Sequence, residues 1–264
     1  MATWMAHLRI AEQLMEQLPD FDTGSFVSGS IAPDCGLPNE DWSEFTPPKQ
    51  VTHYHHKTGE LLDLRFFREY LAGHPLTEDP KRISFLWGYY LHLTTDELWY
   101  TRLAATTRQE YPALFAEKGD QAWWVVKEDW YDLDHRYLRD NPDSLFWKVF
   151  MTQPDPPQYL PFLPAQGIML QFAHIREYYS NAHVEKGLER PFPYLNEATM
   201  QRFIRETVES LFKLYTALQQ PLPVGLGEMS LELMLPAEYT AIPPPLGDPL
   251  RQTPSKDHLK IAGK

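Results

Sequence analysis

Apolar residues at Trp4, Leu8, Ala11, Met15 and Leu18 recur at the spacing that lines one face of a helix, and Pro19 ends the pattern. "ELLDLRFFREYLAG" predicts a short amphipathic helix closed by Gly73. Residues 82 to about 110 carry the longest helical pattern, apolar nearly all round in its first half, as a central buried helix requires. Two further helices are expected, from about 120 to 139 and from about 163 to 182, with "TQPDPPQYLPFLP" as a rigid spacer between them. In "NEATMQRFIRETVESLFKLYTALQQ", Asn196 is placed to cap a helix whose apolar stripe is Phe203, Val208, Leu211, Leu214 and Leu218. Residues 21 to 59 hold several Gly and Pro and no sustained period, which predicts a long loop of functional rather than connective character. No alternating strand runs and no internal repeat stand out. The expectation is an all-α chain: one bundle-like helical domain over 1–220 around a buried central helix, then a Pro-rich extended tail over 221–264.

Composition narrows the function classes. With 43% hydrophobic and 14% aromatic residues the chain can bury a core without staples, and its single cysteine, Cys35, allows neither an intrachain disulfide nor a thiolate zinc cluster. The N-terminus lacks a basic region followed by a long apolar run, so a cytoplasmic protein without a removable signal is expected. No run approaches the roughly 18 apolar residues of a spanning helix. A formal net charge of -12, from 36 acidic and 24 basic residues, argues against a duplex nucleic-acid partner. A phosphate-bearing substrate would need local positive charge, which bound metal ions supply.

The candidate chemistry starts in "FLWGYYLHLTTDELWY", where His92 and Asp96 stand at i and i+4 on one face of the central helix and can meet one ion. A plain hydrogen-bonded His and Asp pair in the core is the competing explanation. Other ionisable residues sit in similar apolar settings: His7 between Trp4 and Ile10, Asp34 in "SIAPDCG", and His53 in "VTHYHH", with His55 and His56 read as solvated neighbours. A His and carboxylate set without Cys suits zinc or another borderline divalent ion.

Taken in order, "AHLRIAEQL", "GSIAPDCG", "VTHY" and "FLWGYYLHLTTDELW" resemble the zinc-dependent phospholipase C family, which shares its fold with single-strand-specific zinc nucleases. The resemblance implies that His53, His92, Asp96 and Asp34 hold one metal, with Asp34 at the position that bridges to a second ion and acts on the attacking water, and that His7 and Asp96 match a third-metal pair. One to three zinc ions are implied. In the secreted relatives the third site uses an N-terminal Trp, whereas here Trp4 is internal. The chain departs again after Asp96: "ELWYTRL" has Tyr100 where the family carries a further His. Glu128 and Asp132, at i and i+4 in "KEDWYDLDHRYLRD", with His135 close by, offer either a remodelled second metal site or an exposed acidic helix face. His174 and Glu177 read as a structural pair.

The implied activity is hydrolysis of a phosphoester, by water whose pKa the metal lowers from about 16 towards 7, on a small molecule or a lipid headgroup. The alternative is a non-catalytic helical scaffold that keeps one metal, or only a buried polar cluster. Metal stoichiometry separates the two.

Overall fold

The computed structural model describes residues 1–181 and 187–245. Helix α1 (Trp4–Gln17) starts where the Thr3 side chain accepts from the Ala6 amide, and α2 (Thr23–Gly29) where Asp22 accepts from Ser25. A 3₁₀ turn (Ala32–Asp34) leads into a two-residue hairpin, β1 (Leu37–Pro38) against β2 (Phe45–Thr46), and then into α3 (Lys49–Thr52). Helix α4 (Asp63–Tyr70) precedes α5 (Pro80–Trp99), which Asp79 caps and Pro80 opens. A π-helical turn (Tyr100–Ala104) carries α5 into α6 (Ala105–Glu110), followed by α7 (Pro112–Lys118) and α8 (Ala122–Asp140). Helices α9 (Ala165–Asn181) and α10 (Glu197–Leu218) complete the body. The chain is all-α, as the apolar periodicity predicts.

Helix α5 is the axis of the core. Tyr89, Tyr90 and Trp99 are fully buried on it, and every residue from Ile83 to Asp96 is enclosed. The stripe Phe203, Val208, Leu211, Leu214 and Leu218 of α10 is buried as expected, and the Asn196 side chain accepts from the Thr199 amide at the start of that helix.

The expected loop over 21–59 is corrected by α2, which lies backbone to backbone on α5. A Cβ on Gly29 would stand 2.0 Å from the Phe85 carbonyl oxygen, and one on Gly88 would stand 2.2 Å from that of Phe26. Glycines that read as loop punctuation are here contact points between two helices. Beyond α10 the described residues lie on the helical body: Asp63 of α4, fully buried, accepts from the Ser230 amide at 2.9 Å, from the Ser230 hydroxyl and from Thr94 of α5. The Ile242 amide donates to the Arg102 carbonyl at 2.8 Å. No described helix is long and apolar enough to cross a membrane.

Candidate metal centre

Each candidate ligand reaches the centre through a local device. The close approach of α2 to α5 puts the Ser30 carbonyl 2.8 Å from His92 Nδ1. A carbonyl only accepts, so Nδ1 carries a proton, and it is the neutral form of the ring that offers a bare Nε2 to a metal, aimed away from Ser30. His53 caps α3, where the His55 amide reaches the Gln50 carbonyl and the Tyr54 amide that of Val51, a Schellman closure. Tyr54 takes the left-handed position of that motif, φ 51°, in place of the usual glycine. Thr52 Oγ1 lies 3.0 Å from His53 Nδ1, and the Tyr89 hydroxyl donates to the Thr52 carbonyl at 2.5 Å, tying α3 to α5. Asp34 ends the 3₁₀ turn that Pro33 opens.

The side chains then converge. His53 Nε2 is 3.4 Å from His92 Nε2, 3.4 Å from Asp34 Oδ1 and 3.5 Å from Asp96 Oδ2. His92 Nε2 is 3.6 Å from Asp96 Oδ2. A tetrahedral zinc ion with bonds of about 2.0–2.1 Å has ligand-to-ligand edges of roughly 3.3–3.4 Å, close to all four separations. His7 stacks on His92 with ring centroids 3.7 Å apart and planes 8° from parallel, its Nε2 3.3 Å from Asp96 Oδ1. The Ala2 amide donates to that same oxygen at 2.7 Å. Among the described residues, two groups of ligand atoms converge tightly enough for an ion, His7 with His92 and Asp96, and Asp34 with His53 and His92.

The chemistry of the donors fits a cation. Asp34 Oδ1, Asp96 Oδ2 and His7 Nε2 are buried with no hydrogen-bond partner. Two imidazole nitrogens that face each other at 3.4 Å repel unless a proton or a cation lies between them. Burial, with His92 beside it, pushes His7 down to about 4 against the pull of Asp96. Burial works against the charged form of Asp34 and of Asp96, but Lys49 and the histidines outweigh it at Asp34, and neighbouring positive charge with His7 and His92 outweighs it at Asp96, so both stay ionised. Burial also opposes protonation of His92, yet Asp96 and Asp34 carry it above its ordinary range. Neutral His7 and ionised carboxylates are the protonation states that metal binding needs.

A cleft of about 610 Å³ opens beside this cluster, with Trp4, Trp42, Lys49, Lys127, Trp130 and His174 on its walls. Asp34 is the clustered residue that also lines the cleft. His174 packs on Trp4 and Trp42, ring centroids 6.0 and 5.0 Å away, rather than serving only as the partner of Glu177. His56 is exposed, beside Thr58 and Glu60, and His55 is partly buried with its ring 6.2 Å from that of His53.

The α8 candidates are arranged differently. Glu128, Asp132 and His135 belong to neither converging group. Asp132 accepts from Arg190 Nε at 2.8 Å and Nη2 at 2.5 Å, and Asp129 accepts from Arg190 Nη1 at 2.6 Å. His135 is buried against the rings of Tyr178 and Tyr179. Asp132 is therefore not an exposed acid, because an arginine 58 residues away neutralises it in the interior, while Glu128, half-buried, and His135 stay outside both converging groups. Sequence reading also passed over Lys49 and Lys127, whose only early signal was a position near an aromatic run.

Three comparisons bear on this geometry. No curated protein and no solved structure matches the chain. Residues 6–99, which hold all five clustered ligands, match the family model described as zinc dependent phospholipase C. Over that stretch the resemblance carried by the four ordered motifs is borne out: this part of the chain is similar to a zinc-dependent family, and its buried His and Asp groups could hold the metal.

Proposed function

We propose that the chain hydrolyses phosphate esters with zinc held by His53, His92, Asp96 and Asp34. The observation that supports this best is the convergence of buried ligand atoms in two groups that share His92, Asp34 with His53 and His7 with Asp96, with two carboxylate oxygens left without hydrogen bonds. A bound zinc ion would polarise a phosphoryl oxygen and make water a nucleophile near neutral pH. Asp34, shared by cluster and cleft, accepts the proton of the water that attacks phosphorus. His92, held by the Ser30 carbonyl, keeps its orientation through the reaction. The tryptophans of the cleft exclude water from one side of the substrate and offer apolar surface to a lipid or aryl group. His7 extends the cluster from Asp96 and is the candidate for a further ion. The family match supports a phospholipid-type ester as the substrate class.

The scaffold alternative draws on one specific observation: His53 Nε2 has His92, Asp34 and Asp96 all within 3.4–3.5 Å, so protein ligands alone could crowd one ion, and closed shells are typical of structural sites. Metal analysis of protein purified without chelator, followed by assay on bis(p-nitrophenyl) phosphate, p-nitrophenyl phosphate and a short-chain phosphatidylcholine, separates the two. The enzyme binds at least one zinc per chain, turns over an ester, and loses about 10²-fold or more of that rate in Asp34→Asn. Stoichiometric zinc with no turnover on any of the three esters would mean a structural site.

A further inference from the structure

Two cations of the cleft are unused by the proposed ligand set. Lys49, the first residue of α3, places Nζ 3.6 Å from Asp34 Oδ1 with its side chain 48% exposed. Lys127, on α8, lines the same cleft, its Nζ 5.1 Å from the centre of the Trp124 ring. Burial first, and Lys49 second, pull the Lys127 ammonium below its ordinary range, with Asp34 the carboxylate that opposes them. Both lysines and Asp34 line the same cleft.

Lys49 has Asp34 beside it, but Lys127 stands apart in this chain. Acidic residues outnumber basic ones by 36 to 24, yet no carboxylate among the described residues forms an ion pair with Lys127. Withdrawing an ammonium from water without a counter-ion is unfavourable. Glu44, the other carboxylate on the cleft wall, is exposed and solvated, so it offsets little. An anion entering the cleft would meet a wall that carries both lysines together with Asp34.

We propose that Lys49 and Lys127 form an anion subsite that selects phosphate esters carrying two negative charges over singly charged diesters. The subsite deepens the hydrolase reading and rests on it for the position of the reacting phosphate. The charge can be that of a soluble phosphomonoester or of a lipid such as phosphatidic acid, because both present the same dianionic group.

The test uses the full chain, purified without chelator, and measures binding of inorganic phosphate and of short-chain phosphatidic acid by calorimetry. Lys127→Met and Lys49→Met should each weaken at least one probe about tenfold, the scale of one lost charge-assisted hydrogen bond. Lys127→Arg should retain most of the affinity, and Lys148→Met, an exposed lysine paired with Asp143, should retain all of it. The probe that responds identifies the source of the anion. Hydrolysis of p-nitrophenyl phosphate should suffer more than that of the singly charged diester. Wild-type protein that binds neither probe, or binding that is insensitive to both lysines, would overturn the subsite. Lysine-dependent phosphate binding without turnover would sink the hydrolase reading alone, and turnover with lysine-independent phosphate binding would sink the subsite alone.

Discussion

On α8, Asp129 and Asp132 are buried, and one guanidinium, that of Arg190, donates to both. Around α5, Asp34 and Asp96 are nearly as deep, with side chains 6% and 8% exposed, yet among the described residues no arginine pairs with them. Histidines bring their bare nitrogens up to these carboxylates instead. Both regions bury acids; they differ in what answers the charge. A protein that supplies its own cation has built a clasp, here between α8 and the segment around Arg190. A protein that supplies mostly lone pairs, with the half-exposed Lys49 as the one cation 3.6 Å from Asp34, has left a place for a cation from outside. Burial of ionisable groups is thus a poor guide to a site, whereas convergence of unsatisfied acceptors is a good one.

The largest expected effect breaks the clasp. Arg190→Met leaves two carboxylates buried without their cation and should cost ~3–5 kcal/mol in urea unfolding, while zinc per chain stays as in the wild type. A cost under about 1 kcal/mol, or loss of zinc, would mean that the two regions are not separate.

A second, smaller effect concerns Asp134 on the same helix. Its carboxylate accepts from Thr3 at 3.0 Å and from the Tyr179 hydroxyl at 2.7 Å, but burial outweighs both and pushes it up to about 7. The folded state then holds a proton that the unfolded chain releases near pH 3.8. This group's contribution is therefore full below that value and is lost as pH rises towards 7, by roughly 2–4 kcal/mol. Asp134→Asn should remove this slope and raise stability at pH 8 relative to wild type. Parallel curves of unfolding midpoint against pH for the two proteins would contradict it.

The smallest expected effect sharpens the comparison at the metal centre. With zinc at 100 times its dissociation constant, the wild type should gain about 2.7 kcal/mol and His92→Ala should forfeit most of that gain. In chelator the substitution also removes one of two facing imidazole nitrogens, so the variant should lose less there than with zinc present. Equal destabilisation with and without chelator would make His92 a packing residue.

Much of the centre was legible because it is written in short range. The spacing of His92 and Asp96 places both on one helical face whatever surrounds them, and the four motifs that carry His7, Asp34, His53 and the α5 pair follow one another within the first hundred residues. The cap at Asn196 and the stripe of α10 are equally local. The α8 acids misled because their helical spacing is the same whether they face water, a metal or an arginine.

The sequence by itself determined the helical class, the buried axis, the exclusion of an intrachain disulfide by its single cysteine and the residue types from which a zinc centre can be made, since periodicity and composition need no partner. Tertiary structure decided what each ionisable group meets. Gly29 and Gly88 bring α2 onto α5, and only then does the Ser30 carbonyl set the tautomer of a histidine 62 residues away. Arg190 claims Asp132, and Ser230 reaches Asp63 across 167 residues. Such pairings have no period along the chain, and they arise from the packing of surfaces whose separation in sequence carries no record of their contact.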